Sequence, residues 1–117
     1  MAQTLYTIEK QEGVTIINFT LDTLMHQDNE EIKMAFTALL DAGNKQIILD
    51  LTKTPYISSL VIASFVFMLK KASEAGGALV ICGLSDKVQE IFAVTNLDKV
   101  FDIVVTREDA VAKLTKK

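Results

Sequence analysis

Two adjacent serines, Ser58 and Ser59, stand between Pro55-Tyr56-Ile57 and the run Leu60–Leu69, in which only Ser64 is not strongly hydrophobic. A serine at that junction has two uses. As a helix N-cap, its hydroxyl accepts a hydrogen bond from an otherwise orphan backbone N–H, worth about 1 kcal/mol. As a phosphoacceptor, it sits at the positive end of a helix dipole, where added negative charge is tolerated. A phosphate brings about −1.5 to −2 charges, and beside apolar surface it would repel a partner without unfolding the domain. Only one of the two serines can be the cap, so the other is available for the second role.

The remaining residue types with chemical potential do not assemble a catalytic set. His26 is the only histidine and has no cysteine or second histidine near it in sequence to make a metal site. Gly76-Gly77 follows a helical stretch and precedes a strand-like one, the wrong order for a dinucleotide cradle. No nucleophile-elbow pattern frames Ser58 or Ser59. Asp22, Asp50 and Asp102 lie near strand ends, where carboxylates more often satisfy loop amides than act as acid or base. No enzyme activity, metal or cofactor is read from these residues.

Composition narrows the classes further. The chain of 117 residues fits one domain, 1–117, long enough for a core without disulfide or metal staples. It is 50% hydrophobic and 23% charged, which excludes a disordered chain. The net charge of −3 leaves no basic footprint for nucleic acid. The one positive cluster, Lys113, Lys116 and Lys117, reads as a solubilising tail. Cys82, the only cysteine, lies in the apolar run Leu79–Cys82 and reads as a small core residue. The N-terminus lacks signal-peptide character, and the Leu60–Leu69 run is well short of the roughly 20 residues that span a bilayer. A soluble cytoplasmic protein with no direct membrane insertion is expected.

The elements that must position the serines follow from hydrophobic periodicity. Thr4–Lys10 and Val14–Phe19, joined at Glu12-Gly13, predict a hairpin. Asp28 as N-cap and Glu31 in the capping-box position open a helix with Ile32, Ala35, Phe36, Leu39 and Leu40 on one side, stopped by Gly43. Lys45–Leu51 and Ala78–Cys82 are nearly continuous apolar strands, as required when both sheet faces are covered. Helices are expected from about Ser59 to Ala75, from Ser85 or Asp86 to about Thr95, and after Thr106. "TLDTLMHQD" and "TKTPY" read as loops. The order is that of an α/β fold: a four- to five-stranded mixed, mainly parallel sheet packed with about four helices.

The helix after the serines is apolar around most of its circumference. Ile62, Phe65, Val66 and Leu69 form one stripe, assigned to the core. Leu60, Val61, Ser64 and Phe67 then fall on another face, expected to be partly exposed and to meet a partner.

The stretch "IILDLTKTPYISSLVIASFVFMLKKASEAGGALVICGL" resembles the central signature of the STAS domain, the fold of bacterial anti-sigma-factor antagonists. That signature is a strand ending in Asp-Leu-Ser, a spacer with an aromatic and an Ile or Met, then Asp-Ser-Ser-Gly-Leu-Gly opening a helix. Asp50-Leu51-Thr52 is similar to its start and Tyr56-Ile57 to its spacer. "FTLDTL", around Asp22, resembles the family's turn before the first helix, and "EIFAVTNLDKVFDIV" its second signature. The resemblance implies a regulatory module that binds an anti-sigma factor with serine-kinase activity, with a phosphatase reversing the modification. Counted from Asp50, the phosphoacceptor falls on Ser59, with Ser58 the alternative. Ser58 takes the place of the motif Asp, Leu60 of the second motif serine, and Val61 and Ala63 of the two glycines. The implied partner surface comprises Asp22, Ser58, Ser59, Leu60, Val61, Ser64 and Phe67. The departures keep a second role open, a non-switching accessory subunit of a membrane transport complex or sensory scaffold. Assembly into a homo-oligomer is also left open.

Overall fold

Glu12 and Gly13 both adopt left-handed backbone, with φ of 52° and 81°. Two successive positive φ values give the tight turn whose twist matches that of two flanking strands. The chain therefore reverses between β1 (Tyr6–Gln11) and β2 (Val14–Phe19), which pair antiparallel from Tyr6↔Phe19 to Gln11↔Val14. The computed structural model describes residues 4–115, so Lys116 and Lys117 of the lysine tail lie outside the described residues. Lys113 lies 3.8 Å from the Asp102 carboxylate.

From β2 onward every pairing in the main sheet is parallel. β4 (Gln46–Asp50) lies between β2 and β6 (Ala78–Cys82), and β7 (Asp102–Val104) closes the far edge, giving the order β1-β2-β4-β6-β7. The connections are α1 (Asn29–Asp41), α2 (Ser59–Glu74) and α3 (Asp86–Val94), and α4 (Arg107–Thr115) follows β7. This is the expected mainly parallel sheet with four helices, and it has five strands. Among the described residues no helix is long and apolar enough to cross a membrane.

Side-chain alternation divides the core in two. Ile17, Phe19, Ile47, Leu49, Leu79 and Ile81 face α1, α2 and α3. Ile16, Ile48, Val80 and Cys82 face the other way, against Ala110 and Val111 of α4. That two-sided covering is why β4 and β6 read as continuous apolar runs rather than alternating ones. Cys82 is wholly buried, and burial above all, with the nearby Asp50 carboxylate, pushes its thiol up to about 12. It is a packing residue in a protonated state.

Two segments read as loops contain short strands. β3 (Thr23–Leu24) and β5 (Tyr56–Ile57) pair parallel as a two-stranded ribbon apart from the main sheet. Two residues are too few to display a period of two, so no sequence pattern marks them. The start of α1 also differs from expectation. A short 3-10 turn, His26–Asp28, precedes it, and the Asp28 carboxylate accepts from the Met25 N–H at 2.8 Å instead of capping α1. His26 is exposed on that turn.

Candidate functional site

The segment between β4 and α2 is held by polar contacts from four directions. At its start, Asp50 Oδ1 accepts from the Thr52 N–H at 3.0 Å and from the Thr52 hydroxyl at 2.6 Å. Arg107, at the first turn of α4, donates from Nε to Asp50 Oδ2 at 3.2 Å and from Nη1 to both Glu9 oxygens at 3.1 and 3.2 Å. Its Nη2 donates to Asn18 Oδ1. Burial pushes the Asp50 carboxyl up, but the two Thr52 hydrogen bonds and the Arg107 guanidinium outweigh it and hold the group below its ordinary range. Next along, the wholly buried Thr54 donates its hydroxyl to the Leu21 carbonyl at 2.6 Å. Ser85, the N-cap of α3, donates to the Pro55 carbonyl at 2.8 Å and accepts from the Val88 N–H at 3.3 Å. Finally the N–H groups of Tyr56 and Ser58 donate to the Asp22 and Leu24 carbonyls at 3.3 and 2.8 Å.

The same segment is crowded from behind. Gly83, after β6, has φ of +77°, and a Cβ there would lie 2.3 Å from the Thr52 hydroxyl and 2.7 Å from its backbone nitrogen. Glycine is thus required twice over, by backbone conformation and by the close approach of the loop.

These contacts deliver the serine pair in a defined pose. Ser58 has extended backbone, and its Oγ accepts from the Val61 N–H at 3.3 Å, making it the N-cap of α2. Ser59 is the first helical residue and is exposed. One serine therefore caps, as expected, and the other presents its hydroxyl to solvent beside the orphan N–H groups of the first turn. Asp22 pins β5 by its main chain while its side chain stays exposed.

The α2 surface requires a correction. Val61 is wholly buried and Ser64 is 5% exposed, so neither lies on the exposed face expected from the sequence. Ser64 donates its hydroxyl to Asn29 Oδ1 of α1, itself buried. Val66, assigned to the core, is exposed, and Met68, left outside the stripe, is wholly buried. The buried arc comprises Val61, Ile62, Ser64, Phe65, Met68 and Ala72. At about 100° per residue, this arc is turned from the expected stripe because α2 packs against α1 as well as the sheet. The exposed arc is Ser59, Leu60, Ala63 and Val66. Phe67 lies at its margin, half-covered, with the Lys33 and Lys71 ammonium groups 4.7 and 5.5 Å from its ring centroid. Leu60 is 50% exposed, and Met25 and Tyr56, which share a depression with Ser58, are 40% and 58% exposed. Large apolar side chains from three elements thus lie exposed beside the serine pair. Sequence patterning missed Met25 and Tyr56 as members, because isolated apolar residues in loops carry no period.

Among the described residues no group of three His, Cys, Asp or Glu side chains is placed to hold a metal ion. The arrangement offers an accessible hydroxyl at a helix N-terminus, with exposed apolar side chains nearby and a loop tied down by hydrogen bonds.

The STAS domain profile matches residues 6–110 of the chain. BtrV of Bordetella bronchiseptica, a candidate anti-sigma factor antagonist, is 29% identical over 107 residues, 91% of this chain and 90% of its own. Among solved structures, an anti-sigma-factor antagonist (STAS) domain protein of Planctomyces limnophilus has a TM-score of 0.84 at 23% identity, covering 97% of this chain and 100% of that one. The Bacillus anti-sigma factor antagonist SpoIIAA, in its unphosphorylated form, has a TM-score of 0.74 at 15% identity, covering 96% and 99%. At such identities the structural likeness is one of fold.

Proposed function

Because the chain belongs to the STAS domain family, we propose that it is a one-domain regulatory module of the anti-sigma-factor-antagonist type, acting in the cytoplasm by binding an anti-sigma factor with serine-kinase activity. The contact surface is the exposed rim of the serine pair: Asp22, Met25, Tyr56, Ser58, Ser59 and Leu60. Ser59 is the phosphoacceptor, and a phosphatase reverses the modification. The observation that carries this reading is the division of labour between the serines. Ser58 is committed to the Val61 N–H, whereas Ser59 is exposed one residue into the helix with Leu60 beside it. A phosphate on Ser59 would sit at the favourable end of the α2 dipole, so it costs the fold little. It would place its charge where a partner must bury Leu60 and Tyr56, so it costs the complex much.

One observation favours a second reading, constitutive binding through the same rim. Ser58 stands where the family motif has an acidic residue, and the wholly buried Val61 stands where it has glycine. Incubation with the anti-sigma kinase of the same genome and ATP, followed by mass-spectrometric site mapping, separates the two. Phosphate is expected on Ser59, and none on the Ser59→Ala variant. Absence of phosphate, or phosphate confined to other residues, removes the switch and leaves the constitutive binder.

A further inference from the structure

Beside the serine pair, between the β3–β5 ribbon and α3, lies a cavity of about 200 Å³. Its walls are mainly the side chains of Met25, Tyr56, Ile57, Val88 and Ile91, and Lys87 is the only charged residue lining it. Among the described residues Lys87 makes no ion pair. The walls are held open by fixed elements. Ser85 bonds Pro55 to the N-terminus of α3, and the ribbon fixes Ile57 opposite Leu24. A cavity of about 150 Å³ already accommodates a benzene-sized group, so this one has room for a large side chain.

We infer that this depression is an anchor socket for the protein partner, taking one large apolar side chain with a carboxylate next to it in the partner's chain. The inference rests on the reading of the serine rim as the partner surface, with which the socket is continuous through Met25, Tyr56 and Ser58. The apolar walls select the anchor, since a buried aliphatic or aromatic side chain in a central pocket is the usual source of binding energy. Lys87 selects the charge, because an acidic neighbour would meet the single cation on the rim and a basic one would be repelled. The chain as a whole carries net charge −3, so an acidic partner segment is disfavoured over the surface at large, and the attraction that holds it here is the local contact with Lys87.

The test uses short random peptides displayed on phage and selected against the full chain and its Lys87→Glu variant. Lys87 is exposed, so the variant should fold as the parent does. Against the parent, the enriched peptides should pair a large apolar residue with an adjacent Asp or Glu. Against Lys87→Glu that acidic preference should vanish. A synthetic peptide of the enriched sequence should bind the variant about fivefold more weakly, as for loss of a rim ion pair. In the parent it should shift the amide resonances of Ile57, Val88 and Ile91. Enrichment without an acidic residue, affinity indifferent to Lys87→Glu, or shifts confined to other surfaces would overturn the socket. Kinase binding by a Leu60→Asp variant is measured in parallel. Leu60 does not line the cavity, so the socket and the serine rim can each fail alone.

Discussion

Val61→Asp is expected to melt far below the parent, whereas Leu60→Asp, one residue earlier, should melt as the parent does. Val61 is wholly buried between α2 and the core, and Leu60 is half exposed. An unpaired carboxylate at Val61 costs at least about 3–5 kcal/mol, set against a total stability of about 5–15 kcal/mol for a domain of this kind. At Leu60 the charge stays in water and changes stability by under about 0.5 kcal/mol. Binding should show the reverse emphasis, since Leu60→Asp forces the partner to bury a charge. Thermal melting followed by circular dichroism checks the first contrast, and titration of the anti-sigma kinase the second. A parent-like melt for Val61→Asp would mean that α2 is rotated from the orientation described above.

The second large effect concerns the clamp at the root of the loop. Asp50→Asn keeps the shape but removes the charge that accepts two bonds from Thr52 and one from Arg107. Hydrogen bonds to charged groups are worth about 1.5–3 kcal/mol each. The loss is partial here because Asn can still accept from Thr52 and Arg107 is 29% exposed, so we expect about 2 kcal/mol at neutral pH. The pH dependence has a definite sign. The folded-state carboxyl is held below its ordinary value of 3.8, so its contribution is fully present above that value. It is lost as pH falls through the lower, folded-state value. Urea unfolding from neutral pH down to below pH 4 should therefore show the parent and Asp50→Asn well separated at neutrality and converging in acid. A gap that stays constant across that range would show that the Asp50 charge contributes nothing to the clamp.

Much of this architecture is legible in the chain because each strong signal has a local physical cause. Glu12-Gly13 marks the hairpin turn, Ser85 and Thr106 mark helix starts by offering cap hydroxyls, and the unbroken apolar runs of β4 and β6 report covering on both faces. The signals fail where the cause is tertiary. Nothing near Arg107 in sequence indicates that it will reach Glu9, Asn18 and Asp50, which lie on three different strands. Gly83 matters because Thr52 comes against it from another part of the chain. The α2 face is not legible because Ser64 is polar, and a polar residue in an apolar helix reads as outward-facing. Its buried partner, Asn29, is 35 positions away in sequence. The serine pair itself is legible as a cap plus a spare hydroxyl, but which serine does which depends on where the helix begins.

The most direct measurement is the affinity of the anti-sigma kinase for the unphosphorylated and the stoichiometrically Ser59-phosphorylated protein, by isothermal titration calorimetry, with a thermal melt of each form. The expected result is binding at least about tenfold weaker for the phosphorylated form, a difference of about 1.4 kcal/mol or more, with the two melts nearly alike. Equal affinities would contradict a switch at Ser59, and a phosphorylated form that has lost its folded melt would contradict a signal written on the surface rather than in the fold.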